Sequence, residues 1–250
     1  MSVSPYVVVA RNIDPDADNA IHADDVAQQH GFSGALVPGV ELFAYATSPL
    51  VAAWGLPWLS SGRIDLRFRR PVYDGEQLVV SLAGSALTVV GPDEEVRSVG
   101  SAGPADGAGV RGSYVDAPLP SALPADPVQG PLGTVRLSGT VADNLAYCDA
   151  ITEPVALYRS EAVAHPGALL RLVNLLLMSN VALGPWVHTS SSCRFLGLAR
   201  LPAQLTVRGN VTEVFQRNGH DYVHYDALVL ADDKPVLEVD HTAIYRLSDA

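Results

Sequence analysis

The sequence of 250 residues contains one long internal repeat, and this repeat constrains the fold more than any other feature. Four dipeptides recur in the same order, with a spacing that drifts by only one residue: Pro38-Gly39 and Pro166-Gly167, Pro57-Trp58 and Pro185-Trp186, Arg67-Phe68 and Arg194-Phe195, and Gln77-Leu78 and Gln204-Leu205. Ala142-Asp143-Asn144 is a looser echo of Ala17-Asp18-Asn19. A single repeat of this length indicates two copies of one structural unit, since solenoid proteins repeat many short units.

Composition limits the classes of partner and the compartment. The net charge of −11 does not favour the phosphate contacts of nucleic-acid-binding proteins, so we expect no nucleic-acid partner. Cys148 and Cys193 are the only cysteines and form no CxxC pair, so no metal site is predicted. The first residues lack a signal-peptide pattern, and the apolar run 169–183 is too short and too polar to span a bilayer. We therefore predict a cytoplasmic protein without a membrane partner.

Both copies show the same order of secondary-structure signals. A polar loop comes first, over 12–23 and 142–150, and an apolar segment with helical periodicity follows, over 40–54 and 168–183. Alternating or β-branched patterns then predict strands over 61–68, 78–90, 112–116, 187–195, 204–215, 221–230 and 235–245. A helix that is apolar on nearly all sides is normally buried, and a sheet wrapped around it buries it most simply.

This arrangement is the hot-dog fold, and two copies make a double hot dog. The sequence thus predicts an α+β protein in which each half is a long central helix wrapped by an antiparallel sheet. The predicted boundaries are an N-terminal domain over 1–118, a linker over 119–133 and a C-terminal domain over 134–250.

The loop of the first copy carries a motif. Asn19-Ala20-Ile21-His22 and the run from Gly31 to Gly39, GFSGALVPG, resemble the signature of MaoC-like (R)-specific enoyl-CoA hydratases and dehydratases. In that family an Asp-x-Asn-Pro-(Leu or Ile)-His loop precedes a Gly-Phe-x-Gly-x-(Ile or Val)-His-Gly turn into the central helix. The resemblance implies a carbon–oxygen lyase that acts on an enoyl or 3-hydroxyacyl thioester of CoA or an acyl-carrier protein. It implies no cofactor beyond that carrier group.

The resemblance also implies catalytic roles for four residues. His22 is expected to be the acid/base group and Asp18 its partner or the holder of the water. Asn19 is expected to organise the loop, and the N–H of Gly39 to stabilise the enolate-like oxygen at the positive end of the helix dipole.

The first copy departs from the family pattern at three positions, Ala17, Ala20 and Pro38, where the family has Asp, Pro and His. Neither copy holds the complete Asp/His pair in register, so two alternatives stay open. One is a hot-dog thioesterase that uses Glu41, in the first helical turn, as base or nucleophile. The other is a non-catalytic acyl-binding or partner subunit.

Further residues are predicted to contact the substrate: Tyr45, Arg67, Asp149, His165 and Gly167. Arg67 belongs to a cluster with Arg63, Arg69 and Arg70 that suits the phosphates of CoA or the surface of a carrier protein. We also expect a homodimer, or pairing with another hot-dog subunit.

Overall fold

In a computed structural model of the chain, residues 4–13, 19–105, 107 and 109–248 are described. The helical segments of this part are the short 3-10 helix Ala20–His22, α1 (Asp24–Gln29), α2 (Gly39–Ser61), α3 (Val141–Ala150), α4 (Leu157–Ser160) and α5 (Pro166–Met178). The strands of the N-terminal half are β1 (Tyr6–Val9), β2 (Gly62–Phe68), β3 (Gln77–Ala83), β4 (Ala86–Val90) and β5 (Val96–Pro104). Those of the C-terminal half are β6 (Gly130–Gly139), β7 (Val187–Phe195), β8 (Ala203–Arg217), β9 (His220–Ala231) and β10 (Lys234–Arg246).

The strands form one ten-stranded sheet in the order β1-β3-β4-β5-β2-β7-β10-β9-β8-β6. Read inward from one edge, the first half has the order β1-β3-β4-β5-β2. Read inward from the other edge, the second half has the equivalent order β6-β8-β9-β10-β7. Antiparallel pairing of β2 with β7 joins the halves, and Asp65 lies opposite Ser192 in that ladder. Since the repeat relates Arg67 to Arg194, Asp65 and Ser192 are also equivalent residues, so an approximate twofold axis passes between them.

The predicted apolar helices are the buried centre of the molecule. Every residue of α2 from Glu41 to Val51 is buried, which its nearly uniform apolarity predicted. α2 packs against α5 and the sheet, and one continuous core contains side chains from both halves. Gly55, with φ of 60°, interrupts α2, which then continues to Ser61 beyond the predicted end. No helix of the described residues is long and apolar enough to cross a membrane.

Two sequence-based predictions of local structure are wrong. No strand forms over 112–116, because the amide of Gly112 and the hydroxyl of Tyr114 donate to Glu238 instead. The predicted loop 142–150 is helix α3, since the Thr140 side chain caps it by accepting the Asp143 N–H at 3.0 Å.

Two other predicted segments differ in their limits. The segment 78–90 forms the hairpin β3–β4, which turns at Gly84 with φ of 64°. Strand β6 begins at Gly130, inside the predicted linker, whereas 119–129 lacks helix and strand.

Candidate functional site

A cavity of about 220 Å³ lies at the start of α2, between the two halves. The N-terminal half contributes Asn19, His22 and Gly39 to its lining, and the C-terminal half contributes Trp186 and His188. Most of the other lining side chains are apolar, among them Ile21, Phe32, Leu36, Leu42, Phe68 and Ile244. Three of the four residues predicted to be catalytic from the family motif therefore border one mainly apolar cavity.

His22 is held in one tautomer by its surroundings. It ends the short 3-10 helix, and its Nδ1 lies 2.8 Å from the carbonyl oxygen of Leu36. A carbonyl oxygen only accepts, so Nδ1 carries the proton, and Nε2 is the basic nitrogen of the neutral ring. The side-chain nitrogen of Asn19 lies 3.3 Å from this Nε2. Nε2 therefore accepts from the Asn19 amide, and it is the ring nitrogen that can take up a proton.

Asn19 connects the loop to the other half of the molecule. Its Oδ1 accepts from the N–H groups of Ile21 and Trp186, and its Nδ2 donates to the Trp186 carbonyl at 2.9 Å. Asn144, the residue that the repeat relates to Asn19, similarly accepts from the His165 N–H at 2.8 Å. Asn19 thus bonds within the loop before α2, and Asn144, on α3, holds the segment before α5.

Gly39 is the first residue of α2, and a helix offers no acceptor to its first amides. The positive end of the helix dipole lies here, so a developing negative charge is stabilised at this point. A Cβ on residue 39 would stand only 2.8 Å from Nδ1 of His188 and 3.0 Å from the Phe68 ring. Close packing by His188 of the C-terminal half and Phe68 of the N-terminal half is therefore one reason for a glycine at this position. Asp18, like Asp16 and Ala17, lies outside the described residues.

The corresponding place in the C-terminal half is closed. His165 is fully buried, and its Nδ1 accepts the N–H of Gly167 at 3.0 Å. Its Nε2 lies 3.1 Å from Oε2 of Glu153, and Tyr147 and Ala44 pack directly against Gly167. Two residues predicted to contact substrate, His165 and Gly167, thus lie in the core and bond to each other.

Glu41 and Tyr45 lie inside the protein and do not line the cavity. The Glu41 side chain is fully buried, and its Oε1 lies 3.1 Å from Nε of Arg171 on α5. Tyr45 accepts the N–H of Arg11 at 3.0 Å through its hydroxyl, and burial raises its pKa to about 12. Both side chains connect elements of the core.

Asp149 and Arg67, also predicted to contact substrate, lie on the surface. Asp149 forms an exposed ion pair with Arg159. Arg67 lines a groove of about 1050 Å³ on the polar face of the sheet, together with Arg69 and Arg217. Within the described residues these three arginines have no carboxylate partner. The groove and the cavity share Arg69 at their common edge.

A chain of hydrogen bonds outside the predicted site residues reaches the cavity from the C-terminal half. Nε2 of His188 lies 2.8 Å from Oγ of Ser191, which lies 2.9 Å from Nδ1 of His241. The two rings stack with centroids 4.0 Å apart. Burial lowers the pKa of His188 to about 3, so this ring is neutral at physiological pH. Strand residues brought together by sheet pairing leave no signal in a linear motif.

Three residues on β9 and β10 come close enough to share a cation. The candidate ligand atoms of His224, Asp226 and Asp240 all lie within 4.8 Å of one another. Nε2 of His224 donates to Oδ1 of Asp240 at 2.6 Å, and this hydrogen bond raises the pKa of His224. The cluster lies on the polar face of the sheet, outside the cavity lining.

Comparison with solved structures identifies the fold. A conserved hypothetical protein from Mycobacterium tuberculosis, reported to have a double hot-dog fold, superimposes with a TM-score of 0.66 at 13% identity, over 98% of this chain and 96% of that chain. The chain has the double hot-dog fold. The sequence-based prediction of an α+β double hot dog is therefore confirmed. No protein-family model and no curated protein matches the sequence.

Other double hot-dog neighbours are assigned to two kinds of enzyme. A protein assigned as a MaoC domain dehydratase, from Chloroflexus aurantiacus J-10-fl, has a TM-score of 0.64 at 13% identity, over 98% of this chain and 94% of that chain. A protein assigned as an oleoyl thioesterase, from Lactobacillus plantarum, has a TM-score of 0.51 at 11% identity, over 99% and 98% of the two chains. At these identities the likeness establishes the double hot-dog fold, and the activity has to be argued from the site.

Proposed function

We propose that the protein is a hydratase or dehydratase that acts on an enoyl or 3-hydroxyacyl thioester in the cavity at the start of α2. The observation that carries this proposal is the convergence of a basic His22 Nε2 and the first amide of α2 on one mainly apolar cavity. Addition of water to a conjugated thioester needs a base for the water and a donor for the thioester oxygen, and we assign these roles to His22 and the N–H of Gly39, which both line the cavity.

The expected chemistry follows from these two groups. In hydration, Nε2 of His22 takes a proton from water as the water oxygen bonds to C3 of the enoyl group. The C=C electron pair moves toward the thioester, whose carbonyl oxygen becomes enolate-like beside the N–H of Gly39. The proton that His22 took from water is then delivered to C2, which completes the addition and restores the neutral imidazole; dehydration is the reverse. Asp18 stays the predicted partner of His22.

The substrate carrier is proposed from the charges outside the cavity. Arg67, Arg69 and Arg217 lie along a groove that meets the cavity, in a chain with a net charge of −11. Arginines suit the phosphates of CoA or of a carrier-bound phosphopantetheine. We propose a CoA or acyl-carrier-protein thioester as the substrate, and a second copy or another hot-dog subunit as the protein partner.

The thioesterase alternative has less support from the site. Glu41 lies beside Arg171 in the core and does not border the cavity, so it is poorly placed to attack a bound thioester. The non-catalytic alternative predicts binding without turnover, which an assay can detect directly.

The test is an assay with crotonyl-CoA, longer trans-2-enoyl-CoA thioesters and the corresponding pantetheine thioesters. Loss of the enoyl absorbance without release of free thiol is the expected result. His22→Ala is expected to lower kcat/KM by about 100-fold to 10,000-fold, the usual contribution of general acid–base catalysis. His30→Ala is the matched control, because His30 follows α1 on the same segment and does not line the cavity.

The other outcomes separate the alternatives. Release of thiol that Glu41→Gln abolishes and His22→Ala does not would establish the thioesterase. Binding of thioesters with neither reaction would establish an acyl-binding protein.

A further inference from the structure

The buried chain His188–Ser191–His241 has polar atoms that the fold alone does not explain. Among the residues that the structure describes, Nδ1 of His188 and Nε2 of His241 are both buried without a hydrogen-bond partner. Native proteins pair nearly all buried polar groups, so an unpaired group beside a cavity needs an explanation. His188 is only 6% exposed, yet it lines the cavity next to Gly39.

The approximate twofold symmetry provides an internal comparison. The repeat makes Ser191 on β7 equivalent to Ile64 on β2. In the sheet, Ser191 lies opposite His241, and Ile64 lies opposite Ala102, so His241 and Ala102 are equivalent as well. Ile64 and Ala102 are ordinary buried apolar residues. The fold therefore does not require polar residues at these positions, and in the C-terminal half the polar chain ends at His188, which lines the cavity.

The hydrogen bonds allow two arrangements of the protons. Ser191 has one hydroxyl proton, so it donates to one imidazole and accepts from the other. If it donates to Nε2 of His188, the His188 proton is on Nδ1, and His241 donates to Ser191. In the reverse arrangement, Nε2 of His241 carries a proton in the fully buried core. Each arrangement thus leaves one ring N–H without an acceptor among the described residues, on Nδ1 of His188 or on Nε2 of His241, and such groups are rare. His188 lines the cavity and His241 does not, so only the first arrangement places this N–H where a ligand can accept from it, which favours that arrangement.

In the favoured arrangement, the N–H of the His188–Ser191–His241 chain that has no acceptor among the described residues is Nδ1–H of His188, beside Gly39. Nδ1 lies 2.8 Å from the point where a Cβ on Gly39 would be. A substrate carbonyl that reaches the Gly39 amide from the cavity therefore arrives next to this N–H. Because burial keeps the pKa of His188 near 3, the ring stays a neutral donor at any pH that the enzyme is expected to meet.

We propose that His188 Nδ1–H is a second hydrogen-bond donor to the substrate's thioester oxygen, beside the N–H of Gly39, and that Ser191 and His241 hold it in the donating tautomer. The C-terminal half would thereby supply a catalytic residue to the site whose base lies in the N-terminal half. This role rests on the proposed function, because it assumes a thioester in the cavity.

The binding test compares two ligands that differ in one oxygen. Butyryl-pantetheine has the thioester carbonyl, whereas S-butyl-pantetheine is a thioether of equal length without it. Pantetheine is the part that CoA and a carrier protein share, and parallel CoA derivatives show which carrier binds better. We expect the protein to bind the thioester more tightly, and His188→Phe to reduce that preference about threefold to tenfold, as one hydrogen bond contributes. His188→Asn, whose amide can place an N–H near the Nδ1 position, is expected to restore most of the preference.

A spectroscopic test needs no ligand and no active enzyme. Long-range ¹⁵N–¹H spectra distinguish the protonated from the unprotonated imidazole nitrogen. We expect Nδ1 of His188 to be protonated, and Ser191→Ala to weaken this tautomeric preference.

The outcomes distinguish this proposal from the proposed function. An unchanged thioester preference in His188→Phe, or a proton on Nε2 of His188, overturns the donor role and leaves the hydratase proposal standing. Binding of neither thioester nor thioether overturns the proposed substrate class, and the donor role with it.

Discussion

The two halves of this protein begin their central helices in the same way but use the first amides differently. At Gly39 the start of α2 borders a cavity that also contains His22. At Gly167 the start of α5 is closed, because its N–H is bonded to His165 and its surroundings are filled by Tyr147. A duplicated scaffold can therefore keep one site open while the other becomes part of the core.

The histidines of the two halves show how this difference arises. Nδ1 of His22 donates to a carbonyl, which leaves Nε2 as a basic nitrogen beside the cavity. Nδ1 of His165 accepts from an amide, so its proton lies on Nε2 and is donated to Glu153. In the first arrangement Nε2 lies beside the Asn19 amide at the cavity, whereas the second keeps both ring nitrogens within the core.

The largest expected effects come from removing each histidine in turn. His165→Ala removes the buried ring partner of the Glu153 carboxylate and one of its three donors, and we expect it to lower the free energy of unfolding by about 3–5 kcal/mol. His22 is only half-buried, so His22→Ala should cost about 0.5–1.5 kcal/mol. Urea unfolding measures both values. Turnover per folded molecule should survive the first change and be lost in the second; loss of turnover in both variants would contradict the division of roles between the halves.

A smaller effect is expected from a methyl group at the start of each helix. In Gly167→Ala the new Cβ would meet the Tyr147 hydroxyl and lie 2.7 Å from Cβ of Ala44, and such overpacking costs about 1–3 kcal/mol. In Gly39→Ala the Cβ would displace His188 or Phe68, so we expect a similar loss of stability together with slower turnover. Thermal unfolding and the enoyl-CoA assay measure the two effects. Equal turnover in the two variants would show that the start of α2 has no special role.

The smallest effect is a change in the pH dependence of stability. Burial alone would raise the pKa of Glu153, but hydrogen bonds from His165, Ser48 and the Val155 amide hold it below its ordinary value. A carboxyl group with a lower pKa in the folded state stabilises the protein fully above its unfolded-state pKa, about 4.3 for glutamate. This contribution is lost as the pH falls through the folded-state value.

Glu153→Gln is therefore expected to reduce stability near pH 7 and to make the acid limb of the stability curve shallower. Denaturant unfolding at a series of pH values between 7 and 3 measures the difference from the unmodified chain. Asp149→Asn is the matched control, since that carboxylate is exposed and paired only at the surface. A constant difference between Glu153→Gln and the unmodified chain across the series would contradict the lowered pKa.

The sequence by itself determined the scaffold. The repeated dipeptides and the uniformly apolar segments predicted two equivalent halves with buried central helices. This was possible because the periodicity of apolar residues and the positions of Gly and Pro can be read from short stretches of sequence. The loop motif similarly identified Asn19, His22 and Gly39, which do border one cavity.

Tertiary structure decided which of the two sites is open and which residues serve it. Glu41 faces Arg171 instead of a ligand, Glu153 reaches His165 from outside the predicted motif, and His188 reaches Gly39 from the other half. These contacts join residues far apart in the chain and depend on side-chain rotamers and tautomers, which follow from how the halves pack against each other. No local pattern of residues contains that information.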